Sequence, residues 1–255
     1  MKTIAISGKG GTGKTTVAAF IIRWLSEHFS SSILAVDADP NVNLNDVLGL
    51  ELKDSIGAIR EEMRTLASNL PGGMTKAQFL EYKIQSSLVE TSSYDLIAMG
   101  RPEGPGCYCY ANNLLRNILA TLHTNYQYVV IDNEAGMEHL SRRTIQDIDY
   151  LLIISDASIR GIRAAGKISR LLKELDTRVK KKYLILNRVQ NDLIQPVKKA
   201  IEDEGVMHLY SIPEDDKLLN LDQSGEPIWQ VSADSPAYKA VGQLMKKLMN
   251  KEKKT

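Results

Sequence analysis

Apolar positions along this chain come in short unbroken runs more often than in strict alternation. The candidate strands are Thr3–Ser7, Ile33–Asp37, Tyr94–Met99, Tyr128–Asp132, Tyr150–Ser155, Tyr183–Asn187 and His208–Ile212. Val129-Val-Ile131 and Leu151-Leu-Ile-Ile154 contain no polar residue. Strands of that kind need cover on both faces, which predicts a mainly parallel sheet between two layers of helices. Between the runs the spacing becomes helical, as in Val17–Leu25, Ile159–Leu175 and Leu193–Glu204. Strands alternating with helices predict a doubly wound α/β fold, with the chemistry at the carboxyl ends of the strands. Residues 50–93 are the least regular. Helices are expected there over Ile59–Ala67 and Thr75–Ser87, around a Pro71-Gly-Gly73 break, placed to cap a site or meet a partner. Near the end, Ala237, Tyr238, Val241, Leu244, Met245, Leu248 and Met249 fall on one helical stripe. A terminal helix docked on its own domain is expected, with an interfacial helix as the alternative. Lys251–Lys254 reads as a solvated tail.

Composition adds bounds. The 255 residues suit one α/β domain, residues 1–255, and 43% apolar content supplies a sizeable core. A net charge of +1 makes no electrostatic case for nucleic acid as a partner. No run approaches a membrane span, and the chain enters a strand at once, without a secretory signal. With only two cysteines, a reducing cytoplasm is expected.

The first loop carries the chemistry. Gly8-Lys-Gly-Gly-Thr-Gly-Lys-Thr-Thr16 lies between a strand and a helix. Its Gly8, Gly13, Lys14 and Thr15 match a phosphate-binding loop. Such glycines let backbone N–H groups curl round a phosphate, and the following helix adds its positive end. Gly8, Gly10, Gly11, Thr12, Gly13, Lys14, Thr15 and Thr16 are therefore candidate ATP/ADP contacts. Lys14 would reach the β/γ-phosphates and Thr15 would bind Mg²⁺. Asp37-Ala-Asp-Pro-Asn41 ends the second strand; Asp39 is placed to orient a water, whereas Asp37 could equally be a cap or turn former. Asp132 ends an apolar strand in the Walker B manner, the position of a Mg²⁺-holding carboxylate. Asn187 ends another strand, and its amide has the donor and acceptor to pair with adenine.

The pattern GKGGTGKTT, with a second lysine at Lys9, resembles the deviant Walker A of the MinD/ParA/nitrogenase-iron-protein ATPases. The resemblance implies a homodimer in which Lys9 reaches the partner's nucleotide. It assigns Asp39 to a water-positioning role, Ala135 and Gly136 to a second switch, Asn187 to adenine and Pro213 to packing on the base. One departure is Asn133, where the wider class has threonine.

Cys107-Tyr-Cys109 is the distinctive segment, holding both cysteines in a loop rich in glycine and proline. Two thiolates at this spacing make half of a tetrahedral site, and two copies would complete it. Together with Asp132-Asn-Glu-Ala-Gly-Met-Glu-His-Leu-Ser-Arg142 and Ser155–Gly161, the loop resembles the CooC-type accessory ATPases. That resemblance runs from Lys2 to about Ala240 and makes Asn133 and Glu134 ordinary. It implies ATP hydrolysis coupled to delivery of Ni²⁺, or binding of Zn²⁺, on Cys107 and Cys109 at the dimer interface. The implied client is carbon monoxide dehydrogenase or the related acetyl-CoA synthase complex. Two alternatives remain: a [4Fe–4S] electron-transfer ATPase of nitrogenase-iron-protein type, and a MinD/ParA-type regulatory ATPase. His28, His123, His139 and His208 show no ligand spacing with the cysteines, and Trp24 reads as core.

Overall fold

A computed structural model describes residues 1–66, 73–101, 125–135, 147–172 and 178–250. Cys107, Cys109, the switch residues from Gly136 onward and the Lys251–Lys254 tail lie outside the described residues. The elements in chain order begin with β1 (Lys2–Gly8), α1 (Lys14–His28), β2 (Ile33–Ala38), α2 (Leu44–Leu48), α3 (Ile56–Thr65) and α4 (Lys76–Ser87). There follow β3 (Val89–Glu90), β4 (Asp95–Ala98), β5 (Tyr128–Asn133), β6 (Asp147–Ser155), α5 (Ile159–Leu171) and β7 (Arg178–Val189). The chain continues through α6 (Gln195–Asp203), β8 (His208–Pro213), α7 (Asp216–Ser224), a 3₁₀ turn at Ile228–Gln230 and α8 (Pro236–Asn250).

The strands form one eight-stranded sheet in the order β3-β4-β2-β5-β1-β6-β7-β8. Every pairing is parallel except β3 with β4. Alternate side chains explain the unbroken apolar runs. Ile4, Ile6, Val130, Leu152, Ile154 and Ile185 face the side covered by α1 and α8. Ala5, Val129, Ile131, Leu151, Ile153 and Leu184 face the side covered by α3, α5 and α6. The doubly wound, mainly parallel expectation therefore holds, because no strand in the middle of this sheet has a wet face.

Differences from the expected elements are local. Val89–Glu90, α2 and α7 have no strong periodic signal, being two, five and nine residues long. β7 begins at Arg178, five residues before the expected Tyr183, because a polar stretch of lysines pairs in register with β6. Local caps fix several helix starts. Ser55, Thr75, Ser158 and Asp215 accept bonds from first-turn N–H groups of α3, α4, α5 and α7. The apolar stripe of α8 is spent on the chain itself: Ala237, Tyr238, Val241, Leu244, Met245 and Leu248 are buried. Arg23 on α1 donates to the carbonyls of Ile228 (3.1 Å) and Val231 (2.7 Å), and both Arg23 and the Tyr238 hydroxyl bond Glu27. No helix among the described residues is long and apolar enough to cross a membrane.

Candidate nucleotide site

β1 lies between β5 and β6, so the loop that follows it emerges at the centre of the sheet's carboxyl edge. Gly8 closes the strand with φ 151°, and a side chain there would strike the Ile154 carbonyl of β6. Gly11 and Gly13 adopt φ 76° and 84°, turning the loop back before α1 starts at Lys14. The Thr12 hydroxyl donates to the Lys9 carbonyl at 2.8 Å, and the Lys14 ammonium reaches the same oxygen at 3.5 Å. The loop is thus already curled, with Lys14 folded inside it. Lys9 differs from Lys14 in being exposed, and its ammonium has no partner among the described residues.

Four carboxylates surround this lysine or its neighbours. Burial pushes the Lys14 ammonium down in pKa, while the charges of Asp132, Asp39 and Glu134 pull it back up. Asp132 lies almost wholly buried at the end of β5. Burial raises its carboxyl to about 7; the Thr15 hydroxyl bond and Lys14 oppose the rise, and Asp37 and Asp39 add to it. Its Oδ1 is buried without a hydrogen-bond partner among the described residues. A buried carboxylate oxygen with nothing on it is costly. The Thr15 hydroxyl and an acceptor oxygen of this kind form a hard-oxygen pair that fits Mg²⁺.

Asp37 and Asp39 divide the work of the second strand end. Asp37 is fully buried and accepts from the backbone N–H groups of Asp39 (3.0 Å), Asn43 (2.8 Å) and Leu44 (2.8 Å). Burial still raises its pKa against those three bonds. It therefore forms the turn and holds the start of α2, the cap and turn roles open to it in the sequence. Asp39 is only half-buried; one oxygen accepts from the Asn41 backbone and side chain. Val42, three residues on, holds φ 48°, a conformation branched side chains rarely adopt.

An open cleft lies beside α1. It is lined by Thr16, Val17, Asn187, Arg188, Pro213 and Leu218, among others. The structure thus brings Asn187 and Pro213 together with Thr16 along one cleft. It also gives Asn187 a partner that sequence reading missed: Nδ2 donates to the Thr12 carbonyl at 2.9 Å. Arg188, with φ 57°, is a further lining residue without a sequence signal. Glu134, assigned no role of its own in the sequence, faces Lys14 electrostatically. Asn133 turns out to be a brace, its buried amide donating to the Ile6 carbonyl at 2.8 Å.

Residues 3–228 match the model for the CobQ/CobB/MinD/ParA nucleotide binding domain. A Methanocaldococcus jannaschii protein described as an uncharacterized ATP-binding protein is 43% identical over 98% of this chain and 99% of its own length. The carbon monoxide dehydrogenase accessory protein CooC of Rhodospirillum rubrum is 31% identical over 90% of each chain. Among solved structures, the septum site-determining protein MinD of Pyrococcus horikoshii, complexed with Mg-ADP, superposes with a TM-score of 0.69. It is 23% identical, and 97% of this chain and 95% of that one are covered. The chain belongs to the CobQ/CobB/MinD/ParA family of P-loop nucleotide-binding proteins.

Proposed function

We propose that this member of the MinD/ParA-type ATPases hydrolyses ATP as a homodimer and uses the cycle to deliver nickel to carbon monoxide dehydrogenase. The observation carrying the nucleotide half is the orphaned Oδ1 of Asp132 beside Thr15 and Lys14. Thr15 and Asp132 would hold Mg²⁺, which when bound neutralises charge on the phosphates. Lys14 and the backbone of Gly8, Gly10, Gly11, Thr12, Gly13 and Thr16 receive the phosphates. Asp39 orients the attacking water, and Pro213 and Asn187 border the base. Lys9, exposed and with its ammonium unpaired among the described residues, crosses to the nucleotide of a second copy. In the related MinD of Pyrococcus horikoshii, Mg-ADP is the bound nucleotide.

The accessory half rests on two supports: identity to the CooC of Rhodospirillum rubrum over most of both chains, and the Cys107-Tyr-Cys109 loop. Two copies of that loop supply four thiolates, a donor set suited to Zn²⁺ and Ni²⁺. A metal that binds the dimer better than the monomer must, by linkage, favour the nucleotide state that dimerises.

Anaerobic metal titration with native mass determination tests the reading, with and without ATP, on wild type and the Cys107→Ala/Cys109→Ala variant. One Ni²⁺ or Zn²⁺ per dimer, lost in the variant and shifted by nucleotide, is expected. A brown dimer containing iron and sulfide would instead make it an electron-transfer ATPase. Absence of any cysteine-dependent metal would leave a regulatory ATPase of MinD type.

A further inference from the structure

Helices α5 and α6 lie side by side on one face of the sheet, because they join the neighbouring parallel strands β6, β7 and β8. Their apolar faces are turned inward: Ile162, Ala165 and Ile168 of α5 and Val197 and Ala200 of α6 are buried in the core. Both helices start at the carboxyl edge of the sheet. What they present to solvent there is unusual for helix starts. Arg160 and Arg163 on α5 and Lys198 and Lys199 on α6 are exposed, and neither helix has an acidic residue in its first turn. Glu202 and Asp203, also exposed, close α6 instead. Helices are stabilised by acids near the start and bases near the end, so both starts and the end of α6 carry charge of the disfavoured sign.

Neighbouring elements do not neutralise that charge. Farther along α5, Arg170 pairs with Glu204 at 2.6 Å. Arg160, Arg163, Lys198 and Lys199 have no such partner among the described residues. Exposed cations elsewhere do pair, Arg178 with Asp147, Lys180 with Asp149 and Lys239 with Asp234.

Two apolar side chains stand at the same helix starts. Ile159, the first residue of α5, is 39% exposed, and Ile194, the cap residue of α6, is 64% exposed. Large apolar side chains left in water beside unpaired charge mark a contact surface. Chemistry selects the kind of partner. A lipid surface takes up an apolar helix face, and here the apolar faces of both helices are turned to the sheet. A nucleic-acid backbone crossing the layer would meet Glu202 and Asp203 as well as the cations, on a chain of net charge +1. Guanidinium and ammonium groups around an apolar centre match a polypeptide that carries carboxylates around apolar residues of its own.

We infer that the starts of α5 and α6 form a docking surface for an acidic segment of another protein, anchored by Ile159 and Ile194 and rimmed by Arg160, Arg163, Lys198 and Lys199. None of these residues belongs to the phosphate loop or to the proposed metal pair, so the surface can be tested apart from both.

The test measures fluorescence anisotropy of a labelled peptide of glutamates and leucines, and of the same peptide with glutamine replacing glutamate. A duplex oligonucleotide and phosphatidylserine vesicles are the comparison probes. The proteins are wild type, the charge-reversed Arg160→Glu/Arg163→Glu/Lys198→Glu/Lys199→Glu variant and the Ile159→Ser/Ile194→Ser variant, each also followed by native mass and thermal unfolding. Wild type should prefer the acidic peptide to the glutamine one by about tenfold, less so in high salt. Charge reversal should abolish that preference, and the isoleucine variant should bind about threefold to tenfold more weakly. The charge-reversed protein should unfold at the wild-type temperature or above it, since glutamates suit the helix starts. Equal binding of the two peptides by wild type, or binding unchanged in both variants, would overturn the assignment. Tighter binding of the oligonucleotide or the vesicles, lost on charge reversal, would overturn it in favour of a nucleic-acid or membrane surface. Loss of a wild-type dimer in either variant without peptide would make this face a contact between copies. Earlier unfolding of the charge-reversed protein, with peptide binding kept in the isoleucine variant, would assign the cations to the fold.

Discussion

Asp37 and Asp132 are the same residue type, paired in register on the neighbouring strands β2 and β5, and both are buried. Their oxygens differ. Those of Asp37 receive three backbone N–H groups and hold the start of α2. One oxygen of Asp132 has the Thr15 hydroxyl near it, and the other has nothing among the described residues. A buried charge that is fully bonded serves the fold, whereas one left incomplete is held ready for a ligand that completes it. Burial alone does not separate the two; the count of partners does.

The sharpest test of this contrast is Asp132→Asn. It keeps the shape and removes the charge, so Mg²⁺-dependent hydrolysis should fall by on the order of a thousandfold in single-turnover assays. Urea unfolding of the same variant should show stability held or raised, because an unpaired buried charge has gone. Asp37→Ala should do the reverse. Three N–H groups lose their acceptor, so urea unfolding should show a loss of about 2–5 kcal/mol. If Asp132→Asn were the destabilised variant and Asp37→Ala the inactive one, the assignment would be inverted.

Asp39 lies between these extremes, half-buried with one oxygen engaged. Asp39→Ala should slow hydrolysis by about tenfold to a hundredfold while ATP binding, read by equilibrium dialysis, is retained. The smallest expected effect belongs to Asp215, a fully bonded carboxylate on the lining of the cleft beside α1. Burial works against its charge. Bonds from the Ser235 hydroxyl and the N–H groups of Ala237, Leu218 and Lys217 outweigh burial and hold its pKa below the ordinary value. A carboxyl lowered on folding contributes stability above its unfolded pKa and loses it as pH falls through the folded one. Asp215→Asn should therefore cost about 1–2 kcal/mol near neutrality. The gap to wild type should close once the pH drops below the usual carboxylate range, as followed by thermal unfolding.

Sequence legibility follows the same division. The phosphate loop could be read because its signal is contiguous: glycines, Lys14 and Thr15 within nine residues, between a strand and a helix. The sheet could be read because strands covered on both faces must be apolar throughout. Asn133 and Asn187 could be located but not understood, since their partners Ile6 and Thr12 lie 127 and 175 residues away. No local pattern encodes such a bond. Helix α2 was invisible for another reason: its first-turn N–H groups are held by Asp37, upstream of the helix, and its own cap residue makes no side-chain bond.

The docking of α8 on α1 has a consequence for synthesis. Helix α1 follows the first loop, yet Phe20, Ile21 and Trp24 share their apolar cluster with Val241, Leu244, Met245 and Leu248 from the last helix. A nascent chain presents the first set long before the ribosome has made the second. Until the final helix leaves the exit tunnel, that part of the surface lacks its cover, and a message truncated before Pro236 yields a polypeptide whose first helix keeps the sheet, α2 and the Ile228–Gln230 turn but not α8. Such a product is a substrate for chaperones and proteases before it can be an enzyme.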